Sequence, residues 1–294
     1  MSTTLTPPPV VPGAPGGPGG AGNPVEPPRP SSGGSRAVAI VVIVLGGIVL
    51  LGAGISAAVG TIASASVHTS ARTVDAAGVE ELDIDAAAGT LRVEFSDVQE
   101  AELEVTSSWD ADAWRLERDG DMLQLSSPDR SGWFGWRGWF GDGGADAVLR
   151  LPSSLQGLDA DVSLAAGEFV TDGEFGELDL SLAAGAFNVS GSAESLSADV
   201  SAGRGTIELD GVREADLTVS AGSLDATLTG AQPDSIELDV SAGSLRLTVP
   251  EGDYDVRSEV SAGQFDNSIG STPGASSTVD VQVSAGQAVL KSGR

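Results

Sequence analysis

The sequence predicts an all-β protein, a parallel β-solenoid of stacked repeats with an inserted antiparallel hairpin, carried behind one N-terminal transmembrane helix. Three observations predict it: a recurring strand–Ala-Gly–strand pattern, strict alternation of apolar and polar residues within each copy, and a long uncharged run near the N-terminus. Cysteine is absent and histidine occurs once. Disulfide frameworks and Cys-based metal sites are therefore excluded, and stability must come from packing.

Residues 1–36 contain the run TLTPPPVVPGAPGGPGGAGNPVEPPRP and have almost nothing able to bury apolar surface. Such a segment stays disordered with polyproline II character. It is read as a cytoplasmic spacer, a docking tail for Pro-recognising partners being the sharper alternative.

Residues 37–60, AVAIVVIVLGGIVLLGAGISAAVG, carry no charge and are long enough to cross a bilayer of about 30 Å as a helix. The lipid bilayer is thus an expected partner. Arg29 and Arg36 precede the run, and Asp75, Glu80, Glu81 and Asp83 follow it, so the positive-inside bias puts the N-terminus in the cytoplasm. The expectation is a single-pass protein of a bacterial cell membrane with its C-terminal domain outside. A cleaved signal peptide ending at Ala65 competes, but the leader and the apolar run are both long for one, which favours a signal anchor. Residues 61–73 are read as a juxtamembrane linker and residues 74–294 as the extracytoplasmic domain.

The formal net charge is -27, nearly all of it after the apolar run. A field of that sign repels phosphate backbones, so nucleic acid is not an expected partner.

In that domain the repeat turns at Gly89, Gly167, Gly185, Gly203, Gly222, Gly243, Gly263 and Gly286. From Gly167 the corners fall roughly 18 to 23 residues apart, a solenoid spacing. The third residue before each glycine is apolar, as in Leu164, Leu182, Val200, Val219, Val240, Val260 and Val283, and is expected to point inward. By the same parity the alanine immediately before each glycine, for example Ala221, is expected inward. After the glycine, apolar residues return at the second and fourth positions, as in Leu245 and Leu247. The glycine permits either a positive φ or close approach of the next coil's backbone. Stacking these coils buries one continuous core; an antiparallel sandwich is the alternative.

The segments Glu102–Thr106, Trp114–Arg118 and Met122–Ser126 interrupt the repeat and read as a meander with a hairpin turning at Asp119-Gly120. The chain rejoins the stack through AVLRLP, which ends at Pro152.

These repeats, the WRLERDGDMLQLS hairpin and the LRLP exit resemble the bacterial "putative adhesin" family of β-strand-repeat domains of unknown function. The resemblance runs from about Val74 to the C-terminus. It implies an envelope-associated architecture without assigned catalytic residues.

For chemistry the domain offers His68 near the membrane and one lysine, Lys291. A Ser-His-Asp triad would have to recruit His68 across the whole domain, so it is read as a solvated side chain. Acids fall at matching outward positions: Asp85, Asp199, Asp239 and Glu259 in one row, and Asp83, Asp161, Asp179, Asp216, Glu237 and Asp280 in another. Ca²⁺ or Mg²⁺ would relieve their repulsion, but no calcium-binding repeat is present, and a solvated acidic face is preferred. No catalytic, cofactor or metal site is assigned, and no cofactor is expected. A carbohydrate-active β-helix enzyme is the enzymatic alternative; Arg204, Arg213, Arg246 and Arg257 are scattered singly, and aromatic platforms are lacking.

The most unusual segment, SGWFGWRGWFGDGG, gathers Trp133, Phe134, Trp136, Trp139 and Phe140 between glycines. It is read as an interaction loop for a membrane interface or partner groove, or else as a plug closing the end of the stack. The function expected is noncatalytic: a membrane-anchored envelope protein presenting a β-repeat surface for adhesion, interaction or envelope organisation, with an envelope protein or glycan as partner. An envelope-stress sensor or accessory subunit signalling through its helix is the alternative.

Overall fold

The computed structural model describes residues 68–107, 111–128 and 145–293, all within one compact unit, Ser64–Arg294. The expected tail and membrane helix, and the Trp-rich segment 129–144, lie outside these residues. Among the described residues no helix is long and apolar enough to cross a membrane.

The described residues form 17 strands joined in one hydrogen-bonded sheet that winds around a common core. Alternation drives each of them: in Leu158–Leu164, for example, every second residue is buried and every other exposed. Two ladders result. The first-strand ladder holds β2 (Glu81–Ala86), β6 (Met122–Ser126), β8 (Leu158–Leu164), β10 (Glu214–Val219), β12 (Ser235–Val240), β14 (Tyr254–Val260) and β16 (Ser277–Val283). The second-strand ladder holds β3 (Thr90–Ser96), β7 (Asp146–Pro152), β11 (Ser223–Thr229), β13 (Ser244–Val249), β15 (Gln264–Asn267) and β17 (Gln287–Ser292). The long extended run β9 (Glu168–Asp210) passes through both.

Pairing between coils is parallel and in register, which rules out the antiparallel sandwich. Val219 lies beside Val200 on one side and Val240 on the other, Val240 beside Val283, and Val283 beside Val260. The expected inward row is therefore one continuous apolar column.

Coil order departs from chain order at both ends. The β16–β17 coil lies between β12–β13 and β14–β15, although β14–β15 comes first in sequence. At the other end β2–β3 lies between β6–β7 and the coil begun by β8. At the C-terminal end the outermost coil is laid down before the chain steps back one layer, whereas at the other end the outermost coil follows β2–β3 and the chain then crosses that layer to reach β8.

Three expectations are corrected. The meander is split: β5 (Arg115–Asp119) pairs antiparallel with β6, but β4 (Ala101–Ser107) lies on the other ladder, against β7. The reason is that β6 is itself a coil strand, with Leu123 and Leu125 in register with Leu82 and Ile84. The hairpin turns at Gly120-Asp121, with Gly120 at φ 66°, because Asp119 pairs with Met122.

Residues 68–73, read as linker, belong to strand β1 (His68–Val74), which pairs antiparallel with β4. Together β1, β4 and β5 cover the two strand edges at this end, where unpaired N–H and C=O groups would otherwise face solvent. Trp114 and Leu116 join the core there, 2% and 5% exposed.

The corner alanines face outward: Ala184, Ala202, Ala221, Ala242, Ala262 and Ala285 are exposed. Parity does not survive the bend. The consecutive amides of Ser220 and Ala221 both donate to the same neighbouring coil, to Val200 O and Ser201 O, at 2.9 and 2.8 Å. A regular strand alternates sides and cannot do this.

Candidate functional site

The tight position of each corner is the glycine. A Cβ on Gly203 would stand 2.7 Å from the Gly185 carbonyl oxygen, and one on Gly243 would stand 2.6 Å from that of Gly222. Gly89, Gly167, Gly185, Gly203, Gly222, Gly243, Gly286 and Gly263 form one column in this order, each against the glycine of the coil before it, with Gly89 against Ala145. Only Gly89, Gly167 and Gly185 of the column have a positive φ, so close approach is the requirement common to all eight corners.

The first glycine of the column meets the outermost coil. Thr90 donates its N–H to Ala145 O at 2.8 Å, and Ala87 donates to Ser127 Oγ at 2.7 Å. In the outermost coil, Ser127 after β6 and Ala145 before β7 thus flank the corner of the β2–β3 coil. Trp133, Phe134, Trp136, Trp139 and Phe140 themselves lie outside the described residues.

The outward rows of acids assemble as columns. Asp83 lies beside Asp161, and Asp161 beside Asp179; farther along, Asp216, Glu237 and Asp280 are successive neighbours. Gln124 Nε2 closes the first run by donating to Asp83 Oδ2 at 3.1 Å, and Arg257 Nη1 stands 3.9 Å from Asp280 Oδ1 at the far end. Burial pushes the Asp161 carboxyl above its ordinary 3.8, and the charges of Asp83 and Asp179 add to the shift. In the second row acids alternate with neutral residues: Thr218 lies between Asp199 and Asp239, and Gln282 between Asp239 and Glu259. That interleaving removes nearest-neighbour repulsion. Among the described residues no group of three or more His, Asp or Glu side chains is placed to hold a metal ion.

His68 opens β1 and is exposed, beside Ser107 in the ladder. The scattered arginines acquire partners: Arg213 bonds Glu194 at 2.6 Å, Arg246 bonds Asp225 at 2.8 Å, and Arg257 bonds Asp255 at 3.1 Å. Arg204 has none among the described residues. Sequence reasoning missed Tyr254, 2% exposed in the end coil, whose hydroxyl donates to Pro250 O at 3.0 Å. Burial pushes its hydroxyl up to about 12, so it remains an uncharged donor.

The glycine-cornered, in-register stack matches a described domain: the profile of the Toastrack DUF4097 family matches residues 79–265. The chain belongs to this Toastrack family. The match includes seven of the eight corner glycines and stops within β15, so the β16–β17 coil, inserted between β12–β13 and β14–β15, lies beyond it. Comparison with curated proteins gives no match.

Among solved structures, similarity extends to a "putative cell adhesion protein" from Clostridium sporogenes, with 13% identity, a TM-score of 0.41, and coverage of 78% of this chain and 100% of that one. A "putative adhesin" from Bacteroides fragilis gives 15% identity and a TM-score of 0.37, over 78% of this chain and 98% of that one. A "putative lipid binding protein" from Parabacteroides distasonis gives 13% identity and a TM-score of 0.38, over 77% and 97%.

Proposed function

We propose that this Toastrack protein is a noncatalytic, membrane-anchored envelope protein that presents its β-stack outside the membrane as a rigid surface for adhesion, interaction or envelope organisation. One observation carries the reading: the outward side chains stand in fixed columns, one per coil, on a backbone whose corners leave no room to shift. Such a surface offers repeated polar groups at a spacing of about 4.8 Å. Its chemistry is that of recognition, since the acids are arrayed in rows and the one histidine lies exposed on the first strand.

The anchor in this reading is the uncharged run 37–60, with the N-terminus cytoplasmic. Protease added to intact spheroplasts then removes the stack and spares the Pro-rich tail; digestion of the tail alone reverses the orientation. For the surface, the native chain used as bait against isolated envelopes enriches an envelope protein or glycan that a Gly222→Leu chain, with its stack broken, does not. Equal capture by both chains contradicts display by the folded stack.

A further inference from the structure

Positive charge on the flat faces of the stack is segregated. The outer face of the first-strand ladder carries one cation, Arg257, in its end coil, whereas that of the second-strand ladder carries Arg92, Arg150, Arg204, Arg246 and Lys291. Arg92 and Arg150 lie within 3.9 Å of Glu94, and Arg150 also bonds Glu104 at 3.1 Å. Toward the other end of the same face, Arg204 and Lys291 have no ion-pair partner among the described residues.

A groove of about 260 Å³ runs from Arg204 across the next coils. Ser223 and Ser244 stand in successive coils, with Arg204 beside Ser223 and Gln287 beside Ser244. Thr206 and Arg246 line the adjoining row, on either side of Asp225. Asp225 is held by Arg246 at 2.8 Å, which offsets its charge while leaving other guanidinium donors of Arg246 unengaged. The groove therefore offers an unpaired guanidinium at one end and a run of hydroxyl and amide groups along its length.

We propose that this groove binds a carboxylate-bearing polysaccharide laid along the stack axis, its carboxylate on Arg204 and its hydroxyls on Ser223, Ser244, Thr206 and Gln287. The coil spacing of about 4.8 Å is close to the length of one pyranose unit, so successive sugars lie over successive coils. The one unpaired guanidinium offers charge-assisted hydrogen bonds to a carboxylate, and the hydroxyl and amide groups beside it suit the hydroxyls of the same polymer. The proposal rests on the reading of the stack as an envelope-facing surface and names the class of partner.

The test uses the full chain in detergent micelles and polygalacturonate as probe, with its methyl ester as the uncharged control. Polygalacturonate should bind and the ester should not. Arg204→Gln should weaken binding by about tenfold or more, as loss of a charged hydrogen bond does, while Arg213→Gln, which removes an exposed arginine paired with Glu194 outside the groove, should leave it unchanged. Equal binding of acid and ester, undiminished binding by Arg204→Gln, or no binding of polygalacturonate would each overturn the groove assignment. Failure of the wider envelope reading would show separately, as equal envelope capture by the native and Gly222→Leu chains.

Discussion

Gly222 packs directly against Gly203: a Cβ on Gly222 would stand 2.9 Å from the Gly203 nitrogen and 2.8 Å from Val200 Cγ1. The obstruction is backbone on one side and a buried column valine on the other, so the neighbours cannot move aside cheaply. Gly222→Ala is expected to cost about 1 to 3 kcal/mol, the range for overpacking a filled site. Ala221→Leu, one residue earlier, adds more volume but at an exposed position, and should cost less than about 0.5 kcal/mol. Urea unfolding followed by far-UV circular dichroism gives both values; a larger loss for Ala221→Leu would overturn the assignment of the glycine as the tight position.

Asp161 ties stability to pH. Its carboxyl is raised in the folded protein by burial and by Asp83 and Asp179, so the folded state binds this proton more tightly than the unfolded chain does. Stability from this group therefore falls as pH rises from the ordinary 3.8 through the raised value, and stays lowered above it. Asp161→Asn should raise the melting temperature at neutral pH, with the gain shrinking as the pH is brought down toward 3.8. A gain independent of pH, or a loss at neutral pH, would contradict the repulsion in this column.

The valine column should weaken toward its end. Val219 is 0% exposed in the interior of the stack, whereas Val260 is 41% exposed in the outermost coil. Val219→Ala should cost roughly 2 kcal/mol through lost burial and an unfilled cavity, and Val260→Ala under about 0.5 kcal/mol. Equal costs in denaturant titrations would mean that the β14–β15 coil is not the open end.

Replacing Trp133, Trp136 and Trp139 with serine is expected to leave the β-sheet circular dichroism and melting temperature nearly unchanged while weakening association with membranes or an envelope partner, because the segment is Gly-rich and lacks the period-two alternation of the repeats. A large drop in melting temperature would identify it as the closure of the stack.

Much of this architecture was legible in the chain. Alternation fixes which side of Leu158–Leu164 is buried, and the recurrence of glycine marks every corner column member. Parity reasoning failed at Ala221 because it assumes an unbroken strand, and the bend sends two consecutive amides to one neighbour. Layer order was not legible either, since β14 and β16 have equivalent patterns and either could follow β12. The one signal lay in spacing: Gly263 and Gly286 are separated by the longest interval from Gly167 onward, which contains the Gly270–Ser276 loop that carries the chain back one layer. Of the surface, the acid rows were readable as columns. The isolation of Arg204 was not, because it depends on which acids the stacking brings near each arginine.

The reading of the stack as a surface presented outside the membrane is tested most directly by site-specific labelling, for which the cysteine-free sequence gives a clean background. Asp199→Cys places a thiol on the exposed first-strand face, and Ser32→Cys places one in the Pro-rich tail. A membrane-impermeant maleimide added to intact cells should label Asp199→Cys at once and Ser32→Cys only after permeabilisation. Labelling of Ser32→Cys in intact cells, with Asp199→Cys protected until the membrane is opened, would contradict the account.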